Sequence, residues 1–240
     1  MTAAASPALS VVMPVYNEAA AIGEALGEWT DELDRLGIDY EIRVYDDGSK
    51  DATPDVLSSL AEENPRLVVT RHENRGHGPT ILRGYREASA PWVFQTDSDG
   101  EMDVGGFAEL WKQRDDYDFL FGIRAGRQSS PARWLVTRVS RLSVWLLFAR
   151  GVSDVNTPFR LMRSDALSPL LAGLSDDLFA PNIILSGLAA KAGLRIYETP
   201  VAFLGRRHGG GSLVSFNILR PAARSLAQTI GVAFSRKRSR

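Results

Sequence analysis

The strongest constraint on fold in this sequence is the alternation, over the first 123 residues, of short apolar runs with segments of helical period. Leu9–Val15 is an apolar run of strand length. Asn17 to Leu36 follows with Ile22, Leu26, Trp29, Leu33 and Leu36 at helical spacing, and Gly37 ends it. Tyr40–Tyr45 predicts a second strand. Thr53-Pro54 predicts an N-cap with proline at the first position of a helix reaching about Glu63. Leu67–Arg71, Trp92–Thr96 and Phe119–Ile123 predict three more strands, separated by helices over Pro79–Ala88 and about Val104–Arg114. This pattern predicts an α/β fold, a mostly parallel sheet flanked by helices. Ligands of such sheets sit beyond the carboxyl ends of the strands. Those ends carry Tyr16-Asn17-Glu18, Asp46-Asp47, His72–Gly78, Asp97–Glu101 and Arg124, so one polar, acidic, glycine-rich pocket is expected.

Beyond residue 124 the rhythm changes. Gln128–Pro131 reads as a linker and Ala132–Arg150 as a long helix. One face of that helix carries Leu135, Val139, Leu142 and Leu146; another carries Trp134, Arg138, Arg141 and Trp145. The second face suits either a lipid headgroup boundary or a core helix with outreaching arginines. Phe159–Met162 reads as a strand, Ser164 as the cap of a helix to Leu171, Ala180–Ala192 as a helix, and Leu194–Leu204 as a strand broken by Pro200. Gly205–Ser212 reads as a flexible loop, Val214–Phe234 as a helical element interrupted or started at Pro221, and Ser235–Arg240 as a disordered basic tail. The expected organisation is a domain over 1–213, with halves 1–124 and 125–213, and a C-terminal extension over 214–240.

Charge divides along the same line. Residues 1–118 hold 24 acids and 10 bases, a net of −14; residues 119–240 hold 5 acids and 18 bases, a net of +13. A basic half suits a membrane surface or another polyanion. No aromatic stacking platform or helix-turn-helix pattern points to nucleic acid. The absence of cysteine excludes disulfides, thiolate metal sites and a cysteine nucleophile. No apolar stretch of spanning length and no secretory leader is read, so the expected location is cytoplasmic, peripheral on the inner face of the cell membrane.

Three short constellations carry the chemistry. Asp97-Ser98-Asp99 ends an apolar strand. Carboxylates two apart on a turn can both reach a hard cation such as Mg²⁺ or Mn²⁺, leaving room for substrate phosphates, though aspartates also end strands for turn chemistry alone. Glu101 adds a third carboxylate, able to ligate the same ion or to stabilise the loop. Asp46-Asp47-Gly48-Ser49 ends the second strand, where a carboxylate can accept from a nucleobase edge or a ribose hydroxyl. Asn74-x-Gly76-x-Gly78 opens a helix, where glycine permits close backbone approach and the helix N-terminus favours an anion.

In order, Pro14-Val15-Tyr16-Asn17-Glu18, Tyr45–Ser49 with Asp51 and Thr53, Asn74-x-Gly76-x-Gly78 and Asp97–Gly100 resemble the family 2 glycosyltransferases of GT-A fold, a Rossmann-like architecture. Asp154–Met162 and Arg195–Ser212 resemble the later motifs of the polyprenyl-phosphate branch, the group of dolichol-phosphate mannose synthase. The resemblance implies that Pro14, Tyr16 and Glu18 line the nucleotide pocket and that Asp47 contacts the base. It places Asp97 near the ribose or metal and Asp99 on the divalent ion that bridges the donor diphosphate, with Glu101 where the family usually has Gln. Gly78 would border the cofactor-binding pocket. Arg124 would face a phosphate, and Arg206 or Arg207, with Ser212, would close over the phosphates. The sequence departs from the branch at Thr157-Pro158, at Pro79-Thr80, after Ser212 and over Asp176–Asn182.

The activity that the resemblance implies is metal-dependent, inverting hexosyl transfer from a nucleotide-sugar of GDP-mannose or UDP-glucose type to a polyprenyl phosphate. The alternative is a hydroxyl acceptor in polysaccharide or glycolipid synthesis. A lipid phosphate is already ionised. A hydroxyl needs a base, for which Asp154, Asp176 and Asp177 are the candidates.

Overall fold

The computed structural model describes residues 6–126, 152–205 and 219–235, together with positions 138, 142, 145 and 147. Strands β1 (Leu9–Val15), β2 (Tyr40–Asp46), β3 (Leu67–Arg71), β4 (Trp92–Gln95), β5 (Phe119–Ala125), β6 (Arg160–Arg163) and β7 (Ile196–Ala202) form one sheet in the order β3-β2-β1-β4-β6-β5-β7. Only β6, among the described strands, runs antiparallel to its neighbours. It is inserted between β4 and β5, so the two halves of the chain share a single sheet. The alternation in the first half predicts the parallel strands; nothing in the short Arg160–Arg163 run announces its direction.

The sheet is buried on both faces, with side chains alternating between them. Val12, Val93, Phe119, Phe121 and Met162 face one side, towards helices α3 (His77–Glu87), α5 (Ser164–Leu171) and α6 (Pro181–Lys191). Val11, Met13, Val44, Phe94 and Leu161 face the other, towards α1 (Ile22–Arg35), α2 (Thr53–Glu63) and α4 (Phe107–Gln113). On that second face Trp29 packs on Phe94, Phe107 and Phe159 at ring distances of 5.0, 5.9 and 5.8 Å. The last helix, α7 (Leu219–Ser235), contributes Ala233 to the first core.

Two glycines set how closely layers approach. A Cβ on Gly84 of α3 would lie 2.3 Å from Val12 Cγ1, so the helix rests directly on the sheet. A Cβ on Gly122 would lie 2.7 Å from Phe159 Cδ1. Some local assignments differ from the sequence reading. Thr53 is the first residue of α2 rather than its cap, which is Ala52, because its hydroxyl is taken by Asp51 and by the Glu18 N–H. Ser164 likewise begins α5 instead of capping it, its hydroxyl donating to the Ala90 carbonyl at 2.5 Å. Pro200 does not break β7. That strand is an edge, paired with β5 alone, where a missing N–H is tolerated.

Candidate active site

Along the sheet's carboxyl edge, β1 ends in a loop stitched to the loop after β2. Asn17 adopts φ of 55°, a left-handed conformation that Asn tolerates better than most residues. Its N–H donates to Ser49 Oγ at 2.9 Å and its Oδ1 accepts from the Lys50 N–H at 2.8 Å. The Glu18 N–H donates to Thr53 Oγ1, and the Ala19 N–H to Asp51 Oδ2. Burial raises the Asp51 pKa, but hydrogen bonds from Thr53 and Ala19 outweigh it and hold the carboxyl below its ordinary value. Pro14 is buried within β1, past the end of the β4 pairing, where its lack of an N–H costs nothing. Tyr16 stands 41% exposed at the mouth and Glu18 is half-buried beside it.

The two aspartates after β2 brace the neighbouring loops. Asp47 accepts the Arg75 N–H on Oδ1 at 2.7 Å and the Gly76 N–H on Oδ2 at 2.9 Å, which fixes the loop entering α3. Asp46 Oδ1 accepts the Ser49 N–H, while its buried Oδ2 has no directed hydrogen bond, although Arg71 Nε lies 3.2 Å away. Glycine serves this loop in two ways. Gly76 caps α3 at φ of 96°. Gly78 lets chain approach chain: a Cβ there would sit 2.1 Å from the Leu178 carbonyl oxygen and 2.5 Å from that of Phe179. The space beside Gly78 is therefore filled by the segment before α6.

After β4, Asp97 and Asp99 line a cleft with Thr96, Gly100, Trp29, Glu28 and Met102. Asp97 Oδ1 accepts from Gln95 Nε2 at 3.0 Å and lies 3.7 Å from His77 Nε2. Asp99 Oδ1 accepts the Glu101 N–H at 3.2 Å, so Glu101 supports this loop through its backbone. Among the described residues no three His, Cys, Asp or Glu side chains gather to hold a metal, so Asp97, Asp99 and Glu101 do not form one three-carboxylate cluster. The donor set still fits a hard divalent ion. Mg²⁺-type sites commonly use one or two protein carboxylates and take their other oxygens from water and substrate phosphate.

Arg124 and Asp154, both expected at the site, are brought together as a bidentate pair at 2.7 and 2.8 Å, with side chains 15% and 11% exposed. Asp176 is bound by Arg86 of α3, two turns down the helix from Gly78. Asp177 accepts from Ser175 Oγ, which together with Arg224 holds its carboxyl below the ordinary value against a small burial effect. Arg206, Arg207, Ser212 and the Trp134–Arg141 stripe, apart from Arg138, lie outside the described residues. Leu142 and Trp145 are helical and exposed.

The sequence reading misses a buried polar group directly behind the acidic loop. Arg160 is fully buried, with its guanidinium donating to the carbonyls of Thr157, Asn182 and Val155 and stacked 4.9 Å over the Phe121 ring. Burial pulls its pKa below the ordinary arginine value, against the attraction of Tyr85, Asp154 and Asp97. Tyr85, Asn182 and Gln95 fill the space between this cation and Asp97. Burial pushes the Tyr85 phenol up, so it remains a hydrogen-bond donor. The available signals are the Gln in the apolar β4 run and the Asn after Pro181 at a helix start.

The sheet order, with one antiparallel strand beside the acidic loop, defines a GT-A glycosyltransferase fold. The chain belongs to glycosyl transferase family 2, whose family model matches residues 10–171. It is 31% identical over 207 residues to an undecaprenyl-phosphate 4-deoxy-4-formamido-L-arabinose transferase of Edwardsiella ictaluri, covering 84% of this chain and 61% of that protein. The chain thus spans about three fifths of the length of that relative. Among solved structures, a mannosyltransferase from Pyrobaculum calidifontis in complex with GDP-Man and Mn²⁺ superposes with a TM-score of 0.62 at 21% identity, over 96% of this chain and 65% of that one. Glucosyl-3-phosphoglycerate synthase from Mycobacterium tuberculosis, in complex with Mn²⁺, UDP and glucosyl-3-phosphoglycerate, gives 0.62 at 19% identity, over 97% and 80%.

Proposed function

We propose that the chain transfers a hexose, with inversion, from a nucleotide-sugar of GDP-mannose or UDP-glucose type to a polyprenyl phosphate at a membrane surface. Similarity over most of the chain to a transferase named for undecaprenyl phosphate supports the acceptor. One geometric observation favours an acceptor that is already ionised. Asp154 has both carboxylate oxygens held by Arg124, so this candidate base is engaged elsewhere; Asp176 pairs with Arg86, and Asp177 accepts one hydrogen bond from Ser175. A hydroxyl acceptor needs a carboxylate to take its proton; a phosphate oxygen does not.

In this reading Pro14, Tyr16 and Glu18 shape the nucleotide pocket. Asp47 contacts the base with the lone pairs that the loop N–H groups leave. Asp97 and Asp99 would hold Mg²⁺ or Mn²⁺, with the donor diphosphate completing the oxygen set. When bound, such an ion offsets negative charge on the departing diphosphate. Arg124, whose Nη1 stays outside the Asp154 pair, and Arg206 or Arg207 with Ser212 add fixed donors to the same charge. Gly78 sets how the N-terminus of α3 sits beside that end of the pocket.

Membrane contact is assigned to the basic half, together with the exposed Leu142 and Trp145. No helix among the described residues is long and apolar enough to cross a membrane. Incubation with radiolabelled GDP-mannose or UDP-glucose, polyprenyl phosphate and Mn²⁺ or Mg²⁺ tests the reading. Label extracted with the lipid is expected; label left wholly in the aqueous phase overturns it.

A further inference from the structure

Asp97 is backed by a row of buried neutral side chains. Gln95, Tyr85 and Asn182 are 0%, 3% and 4% exposed. Gln95 Nε2 lies 3.0 Å from Asp97 Oδ1, Asn182 Nδ2 lies 2.9 Å from Gln95 Oε1, and the Tyr85 hydroxyl lies 2.8 Å from Asn182 Oδ1. The direction of this row is set at its outer end. An ionised carboxylate only accepts, so Gln95 must turn its NH₂ towards Asp97 and its Oε1 inward. Asn182 must then present its own NH₂ to that oxygen. Its Oδ1 is left to accept from Tyr85. Three donors thus point one way, each polarising the next.

Packing alone does not call for this arrangement. Replacing both partners of a buried hydrogen bond by apolar groups of the same shape is close to neutral, whereas a half-satisfied pair is costly. The row also joins Asn182, at the start of α6, to Gln95 on β4 and Tyr85 on α3, 87 and 97 residues earlier in the chain. Arg160 closes its inner side through the Asn182 carbonyl at 3.3 Å.

We infer that Tyr85, Asn182 and Gln95 form a one-way hydrogen-bond relay that aims the Asp97 carboxylate into the cleft, with Asn182 as the positioning residue that sets the Gln95 amide. The inference rests on the nucleotide-sugar reading above, since the aimed carboxylate serves the metal and diphosphate end of the donor. Asn182→Asp is nearly isosteric and replaces the donor to Gln95 Oε1 by an acceptor, while Tyr85 still donates to residue 182. An aspartate beside Gln95 Oε1 makes the Gln95 amide flip, which turns its oxygen against Asp97. Asn182→Ala removes the main donor to Gln95 Oε1 without adding charge and leaves that oxygen the longer, 3.4 Å contact with the Tyr85 hydroxyl.

The 240-residue chain and both variants are titrated with Mn²⁺ plus UDP, and separately plus GDP, reading free Mn²⁺ by electron paramagnetic resonance. Thermal unfolding is recorded alongside. Displaced carboxylate-orienting partners commonly cost about 10–100-fold in metal affinity, and that loss is expected for Asn182→Asp. Asn182→Ala should fall between it and the wild type. A purely structural role would lower the melting temperature and leave nucleotide-dependent Mn²⁺ affinity unchanged in the folded protein. Affinities within twofold of wild type for both variants overturn the inference and leave the functional reading standing. A wild-type chain that takes up Mn²⁺ with neither nucleotide overturns the functional reading itself, and this inference with it.

Discussion

Gly78→Ala is a one-carbon change whose cost can be read from the structure. The new Cβ would lie 2.1 Å from the Leu178 carbonyl oxygen and 2.5 Å from the Phe179 oxygen, where ordinary contact begins at 3.4 Å. Both obstacles are backbone, so no rotamer change relieves them, and the 178–179 segment must retreat by more than an ångström. That segment is tethered on its far side. The Phe179 N–H donates to Gln228 Oε1 at 2.8 Å, and the Asp177 carbonyl accepts from Arg224 and Gln228 of α7. Overpacking of this kind costs about 3 kcal/mol. Alanine's better helix propensity returns at most about 1 kcal/mol. The net loss of about 2 kcal/mol lowers the melting temperature by about 4–8 °C for a chain of this length. Gly27→Ala in α1 is the internal control, because nothing lies within 4 Å of its added Cβ. It should stabilise by about 0.5–1 kcal/mol. Calorimetry and urea unfolding of the two variants measure both values. Equal stability of Gly78→Ala and wild type, or shifts of the same sign in both variants, would refute the reasoning.

The paired charges carry further expected outcomes. Arg124→Ala strands the Asp154 carboxylate at low exposure and should cost about 3 kcal/mol, measured by urea unfolding. Asp154→Asn should keep transfer to polyprenyl phosphate within tenfold of wild type; a thousandfold loss in a folded variant would restore Asp154 as a base. Arg160→Met leaves three carbonyls without their donor and should lose at least about 3 kcal/mol, read as a fall in melting temperature. Asp118 is held below its ordinary pKa first by the Arg195 hydrogen bond, which with Arg163 outweighs burial. Its folded pKa lies below the unfolded value, so its contribution is present above about pH 4 and is lost as pH falls through the folded pKa. Asp118→Asn should flatten the acid limb of melting temperature against pH; an unchanged limb would remove Asp118 from that role.

The first half of the chain is legible because period and punctuation agree there. Leu9–Val15 and Leu67–Arg71 have the bounds that the apolar runs and turn residues predict, and α2 ends at Glu63 as predicted although it starts at Thr53, one residue earlier. The acidic and glycine-rich stops converge because parallel strands deliver their carboxyl ends to one edge. Partnership is not legible. Arg124 and Asp154 each look like free chemistry in one dimension, yet β5 and the segment before β6 bring them into one ion pair. Gly78 has the look of a phosphate-loop glycine, but its missing Cβ makes room for Leu178 and Phe179, a contact across 100 residues that no local pattern encodes. Gln95 and Asn182 carry little signal in one dimension, because a single buried amide in an apolar run acquires meaning only from the opposing side chain.

The central claim is that the acceptor arrives already ionised, so that no carboxylate of the chain has to take a proton from it. Initial transfer rates from one labelled nucleotide-sugar to a polyprenyl phosphate, and to the same polyprenol without its phosphate, test this most directly. The account predicts labelled lipid from the phosphate and none from the free alcohol. Comparable rates on the two acceptors would contradict it and return a general base to the site.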